Sequence, residues 1–307
     1  MGYPHTYILP RHIKDNKCSI WDLWYLFCLY ITVIISTVIM QIIRKASYYL
    51  CSIFELLWGF CEWGLILRLF LHLTPPGCFT FTLRNYGLIF TVRGVMDVWS
   101  IKETFLNRFY ERYGCIIQDG WCVIDIGAGV GDFSLLAGVR TPHGKVFAFE
   151  PFPESYELLI ENIKQNSCKN IIASPEAVGT KEGQMQLDLS NQEPLQFSAR
   201  TETIATHTID VSCVTLTQVF DRHQIHHCQL LKMDCEGAEY EILFSLPQDV
   251  LHRIDAIVLE YHDDVTAYTH HDLVRFFKER EFTVLIEPNQ VHTNIGYLFA
   301  KHSNNKI

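Results

Sequence analysis

The stretch VIDIGAGVGDFSL, Val123–Leu135, sets the tightest limit on how this chain folds. An apolar run broken only by Asp125 ends in glycines at 127, 129 and 131, and an amphipathic segment starts at once. Apolar runs of that length bounded by glycine are buried strands, and glycine tolerates the positive backbone torsions of a sharp strand-to-helix turn. The rest of the chain repeats the theme. Strand-like CVIDI, KVFAFE, NIIASPEAV, LLKMD and AIVLEY alternate with helical segments starting at Asp132, Pro153, Gly237 and Asp272, and FTVLIE and IGYLFA close the series. Alternation of this kind specifies an α/β fold with a doubly wound, mostly parallel sheet, here ending in an antiparallel pair. Upstream, FTFTLRNYGLIFTVRG (Phe79–Gly94) alternates around Asn-Tyr-Gly as a β-hairpin, followed by a helix over about residues 100–113.

In such a sheet the ligand sits beyond the carboxyl ends of the strands, and the loop after the first strand is its floor. The spacing G-x-G-x-G is not the dinucleotide fingerprint, whose third glycine comes one residue later, where this chain has Asp132. A pyrophosphate seeks positive potential, yet Asp125 and Asp132 flank the loop. S-adenosylmethionine has no phosphate and carries an ammonium and a sulfonium, so the acids suit it. Glu150, nineteen residues past Gly131, ends the next strand, where an acid accepts bonds from both ribose hydroxyls. One rival is a non-catalytic, membrane-tethered module that keeps the fold and binds S-adenosylmethionine, against which the intact glycine loop and Glu150 speak; the other is an NAD(P)-dependent reductase. Its Tyr-x-x-x-Lys pair occurs only as Tyr297 and Lys301, inside a strand-like run.

Three blocks, VIDIGAGVGDFSLLA (Val123–Ala137), VFAFEPFPESYELLIENI (Val146–Ile163) and LLKMDCEGAEYEIL (Leu230–Leu243), resemble the FkbM family of S-adenosylmethionine-dependent methyltransferases. The third, with Lys-x-Asp-x-Glu-Gly-Ala-Glu, is the most specific, and the likeness spans about residues 80–301. The resemblance implies a class I, Rossmann-like methyltransferase fold with a seven-stranded sheet. It also implies methyl transfer to a hydroxyl of a sugar, a lipid-linked glycan or another small molecule. It places the cofactor on Asp125, Gly127, Ala128, Gly129, Gly131, Asp132, Glu150, Pro151 and Asp234, with adenine near Pro175, Glu176, Ala177 and Val178.

Methyl transfer to an alcohol needs alignment of donor and acceptor and a base for the hydroxyl proton. His262, after the strand VLEY, is the expected base, because imidazole titrates near neutrality. Asp234 and Glu236 complete the expected catalytic set at the carboxyl edge; as acids at a helix start they also suit capping. A divalent cation held by Asp234 with His262, Asp263 or Asp264 is the lesser alternative, and no metal is expected. Arg84, Tyr86, Arg93 and Trp99 are candidates for acceptor contact.

The first quarter differs in character. Leu23–Met40 is 18 residues without a charge, enough to cross a hydrocarbon core as a helix, with Trp21, Trp24, Tyr25 and Tyr30 crowding its first half. Ala46–Leu73 is apolar with Ser52, Glu55 and Glu62 at helical spacing, the pattern of an amphipathic helix lying in an interface, until Thr74-Pro-Pro-Gly stops it. The expected domains are thus a hydrophobic region over 1–77, with a membrane helix at about 21–43 and an amphipathic helix at about 46–73; a hairpin-helix cap over 78–120; and a cofactor-binding domain over 121–302. A net charge of −9 without a basic cluster argues against nucleic acid. Eleven scattered cysteines with no C-x-x-C pair suit a reducing compartment, so the expectation is a membrane-associated enzyme with its catalytic domain facing the cytoplasm.

Overall fold

The computed structural model describes residues 40, 43, 45–113, 115–188, 208–263, 265–289, 292 and 294–303. Residues 1–50 form one unit and 51–307 another. Of the first, residues 45–50 are helical. Almost all of the expected span Leu23–Met40 lies outside the described residues, and among these no helix is long and apolar enough to cross a membrane.

The second unit is built on seven strands: β3 (Cys122–Ile126), β4 (Lys145–Phe149), β5 (Ile171–Ser174), β9 (Cys228–Met233), β10 (Ile254–His262), β11 (Phe282–Pro288) and β12 (Ile295–His302). Their spatial order is β11-β12-β10-β9-β3-β4-β5, and β12 alone runs against its neighbours. Consecutive residues of a strand face opposite sides, so each buried strand feeds two cores. Val123, Val146 and Leu230 enter one, packed with Phe133 and Leu135 of α4 (Asp132–Arg140). Ile124, Phe147 and Leu231 enter the other, with Tyr240 of α7 (Glu239–Ser245) and Phe277 of α9 (His270–Lys278).

Four readings of the sequence need correction. NIIASPEAV is not one strand: Pro175 has no donor for the ladder, and the chain leaves the large sheet after Ser174. It restarts as β6 (Ala177–Gly179), which joins β7 (Gly183–Asp188) and β8 (Thr208–Thr215) in a separate sheet. The helix expected at about 100–113 is α3 (Val95–Phe105); it stops before Arg108, whose φ of 54° lies in the left-handed region. Helices α7 and α9 begin at Glu239 and His270 rather than at residues 237 and 272.

Ala46–Leu73 is not one helix either. Helix α1 (residues 51–59 of this unit) ends where Phe60 bridges to Leu83, and α2 (Trp63–Phe70) follows. Arg84 holds the turn, its guanidinium donating to the carbonyls of Trp58 at 3.0 Å and Phe60 at 2.8 Å. Leu56, Phe60, Ile66 and Leu69 join the same core as the hairpin β1 (Phe79–Leu83) and β2 (Leu88–Val92). Full burial of a phenylalanine such as Phe60 contributes ~1.5–3 kcal/mol, which ties this segment to the body of the second unit.

Candidate active site

Strand order reverses direction between β3 and β9, and the loops leaving their carboxyl ends face one another there. Gly127, Gly129 and Gly131 all have positive φ, at 74°, 54° and 90°. At Gly127 the reason is contact as well as torsion: a Cβ would fall 1.7 Å from the Asp234 carbonyl oxygen. The amides of Gly127 and Ala128 both donate to Phe149 O at 3.0 Å, which fixes the loop on the end of β4.

Glu150 is held by its neighbours' main chain. Gly129 N donates to its Oε2 at 2.7 Å and Phe152 N to its Oε1 at 2.9 Å. Burial outweighs these bonds and raises the carboxyl to about 7.

Around this cradle lies a cavity of ≈ 290 Å³. Of the residues expected at the cofactor, Gly127, Gly129, Glu150, Pro151, Ala177 and Asp234 line it, as do Glu236 and His262. Five carboxyl groups reach its wall (Glu103, Glu150, Asp234, Glu236 and Glu260), and no Lys or Arg lines it among the described residues. Burial raises the carboxyls of Glu236 and Glu260, so the negative charge of the wall falls to the other acids; with no lining cation, that balance still disfavours a pyrophosphate and suits a cationic sulfonium and ammonium. Bare main chain at the glycines and an acid placed for ribose hydroxyls complete the fit to S-adenosylmethionine.

Asp125, Ala128, Gly131, Asp132 and Glu176 do not line the cavity, and each has a structural task instead. Asp125 accepts from Ser134 Oγ at 2.6 Å and pairs with Lys232 Nζ at 3.1 Å. Asp132, at the start of α4, accepts a hydroxyl bond from Thr104, and burial raises its carboxyl. Ala128 is buried beneath the loop, and Gly131 lets Leu159 approach. Glu176 bonds Ser174 Oγ and Arg222 Nη1, each at 2.6 Å, and these partners hold its carboxyl below the usual range against the opposing effect of its burial, the largest single influence. The acids flanking the loop therefore act on it through structure, and the negative wall comes from other strands and from α3.

Lys232 is the residue that the sequence reading passed over. It lies on β9 in register with Asp125 on β3, and its ammonium donates to Gly127 O at 2.6 Å. Burial alone would lower its pKa, but Asp125, Asp234 and Asp132 together hold it well above the ordinary lysine value. A lysine inside an otherwise apolar strand was the signal. Its partner became visible only with the strand order.

At the far side of the cavity, ligand atoms of Asp234, Glu236 and His262 lie within 4.8 Å of one another. His262 is buried; its Nε2 is 3.5 Å from Glu236 Oε2, and its Nδ1 is 4.0 Å from Glu239 Oε1. Glu239 is itself pinned by the amides of Cys235 at 2.6 Å and Gly237 at 2.9 Å. Glu236 has φ of 54°, a torsion rarely adopted by a side-chain-bearing residue and frequent at functional sites. Desolvation, with the charges of Asp234 and Glu239, raises its carboxyl to about 9. This trio is also the one set among the described residues with the spacing for a divalent cation. Asp263 is not part of it, being engaged with Tyr240 Oη, His270 N and His270 Nδ1, and Asp264 lies outside the described residues. Of the four acceptor-side candidates, Trp99 lines the cavity. Arg84 holds the α1–α2 turn, Tyr86 packs on Phe105, and Arg93 pairs with Asp97.

A sheet with one reversed strand, a glycine cradle backed by the buried acid Glu150, and an acidic cavity define a class I methyltransferase that uses S-adenosylmethionine. Tyr297 and Lys301 sit on β12, four residues along a strand and thus ~13 Å apart, so they do not form a reductase pair. More narrowly, residues 125–284, just over half of the chain, match the methyltransferase FkbM domain, and the protein belongs to that family. The 31-O-demethyl-FK506 methyltransferase FkbM of Streptomyces tacrolimicus is 27% identical over 237 residues, 68% of this chain and 90% of the relative. The hexuronic acid methyltransferase AglP of Haloferax volcanii is 20% identical over 187 residues, 59% of this chain and 73% of the relative. A crystal structure of methyltransferase FkbM from Methylobacillus flagellatus aligns with a TM-score of 0.46 at 12% identity, covering 67% of this chain and 54% of that one.

Proposed function

We propose that the protein transfers a methyl group to a hydroxyl oxygen of a sugar, glycolipid or other lipid-linked or small-molecule acceptor, at a membrane. The observation that carries the chemistry is His262, buried beside Glu236 and Asp234 on the cavity wall. S-adenosylmethionine, when bound, supplies a methyl carbon activated by its sulfonium. Gly127, Gly129 and Glu150 would seat it, and Asp234 would offer a carboxylate toward its positive charge. His262 Nε2 would take the proton of the acceptor hydroxyl as that oxygen receives the methyl group. The products are a methyl ether, S-adenosylhomocysteine and one proton. Glu236, raised to about 9, keeps its proton at neutral pH and does not compete with the imidazole for this task. General-base assistance of this kind contributes about 10²–10⁴-fold.

Relatives whose names specify a demethyl-FK506 and a hexuronic acid acceptor support a hydroxylated acceptor. The charge-free Leu23–Met40 segment supports membrane attachment, and the scattered cysteines support a catalytic domain facing the cytoplasm. The test is incubation of the full chain with isotopically labelled S-adenosylmethionine and a lipid and glycan extract, with NMR of the product. A methyl ether is expected, with His262→Ala slowing its formation at least 100-fold while S-adenosylhomocysteine still binds. A methylated amine or carbon, or full turnover by His262→Ala, would refute the reading. Prolonged chelation is expected to leave the rate unchanged; loss of activity restored by a divalent cation would give the trio to a metal instead.

A further inference from the structure

Helices α1 and α2 are apolar on their outward side as well as on the side that packs into the core. Two acids tie them to the protein: Glu55 of α1 binds Lys102 Nζ at 3.2 Å and Asn107 Nδ2 at 3.0 Å, and Glu62, just before α2, accepts from Thr82 N at 2.7 Å. Ser52 is buried as well. Their outward stripes are apolar, with Phe54 and Trp58 four residues apart on α1, Trp63 and Leu67 four apart on α2, and Leu71 and Leu73 just beyond. Phe54 is 72% exposed, Trp58 77% and Trp63 53%. Apolar patches beyond a few hundred Å² are rare on soluble monomers and mark an interaction surface.

We infer that the outward face of α1 and α2 is a lipid-contacting surface that sets the catalytic cavity at the edge of a bilayer. Three observations choose lipid over a protein partner. The stripes contain no charged residue, whereas protein interfaces carry a polar rim; the exposed cation beside them, Arg68, suits phosphate headgroups. Two tryptophans stand where α1 gives way to α2, as at a membrane–water boundary. The same stretch of chain follows the charge-free Leu23–Met40 run, which brings it near a membrane if that run inserts.

Helix α2 also packs against a residue of the cavity wall. Phe70 of α2 packs 6.5 Å, ring to ring, from Trp99, and Trp99 and half-exposed Met96 line the cavity wall. The lipid-contacting surface rests on the membrane-bound reading proposed above and specifies how the catalytic body sits.

The test uses the full chain reconstituted in phosphatidylcholine–phosphatidylserine vesicles, with the photoreactive residue benzoylphenylalanine in place of Phe54, Trp58 or Leu67, and of exposed Lys181 as a control. Flotation reports whether the chain binds vesicles, and mass spectrometry reports what each site captures. Phospholipid adducts at 54, 58 and 67, at least fivefold above position 181, are expected. Floating protein with protein adducts, or with none above the control, overturns the lipid-facing surface while leaving membrane attachment standing. Protein that does not float overturns both.

Discussion

Replacing Lys232 with methionine tests whether the glycine cradle is set by a buried charge. The ammonium answers to Gly127 O at 2.6 Å and Asp125 Oδ1 at 3.1 Å, with the Tyr110 ring 5.8 Å away. Lys232→Met removes the cation and leaves the fully buried Asp125 with Ser134 as its remaining hydrogen-bond donor. Removing one partner of a buried pair costs ~3–5 kcal/mol, because the other charge stays desolvated. Gly127 also loses its charge-assisted bond, and the loop that seats the cofactor loosens. A loss of about 1.4 kcal/mol in preorganisation is a tenfold rise in Kd, so S-adenosylhomocysteine affinity is expected to fall at least about tenfold. Urea unfolding and calorimetry on the full chain in lipid measure the two effects. Asp125→Leu combined with Lys232→Met removes both charges and is expected to recover at least half of the lost stability.

The pH dependence follows from the raised lysine. A cation stabilised in the fold contributes fully below its unfolded pKa and loses that contribution only as pH rises through the higher folded value. The lysine's own contribution is therefore expected to stay constant from about pH 6 to 9, so a change in the gap between wild type and Lys232→Met across that window reports the acids whose carboxyls Lys232 lowers, Glu150 among them. A gap below about 0.5 kcal/mol, with affinity changed less than twofold, would show that the pair neither holds the fold nor shapes the loop.

Glu150, raised to about 7, accepts ribose hydroxyl bonds best when ionised, so S-adenosylhomocysteine affinity is expected to rise with pH up to about 7 and then level off. The fold itself responds oppositely, because a raised carboxyl favours folding below its unfolded pKa and loses that contribution as pH rises through about 7; Glu150→Gln should abolish both dependences. Gly127→Ala places a methyl 1.7 Å from the Asp234 carbonyl at a φ of 74°, and is expected to abolish measurable cofactor binding in calorimetry; binding within fivefold of wild type would mean that the loop is not the cradle.

Much of this architecture is legible in the sequence because it depends on local chemistry. Glycines at 127, 129 and 131 require the torsions they adopt, and strand-helix alternation dictates a parallel sheet whose ligand edge is known in advance. The sequence therefore determined the fold class, the cofactor and the place of Glu150, and brought His262 and Asp234 to the right edge. What it could not determine was which acid serves which purpose. Asp125 and Asp132 stand beside the loop in the chain, yet one is neutralised by Lys232 and the other is engaged by Thr104. Glu103, remote in sequence, supplies part of the acidic wall. Pairing across strands follows from sheet order and register, both tertiary properties. So does the outward apolar face of α1 and α2: helical spacing shows two opposed stripes, and only packing against α3 and the hairpin decides which stripe is left for the surroundings.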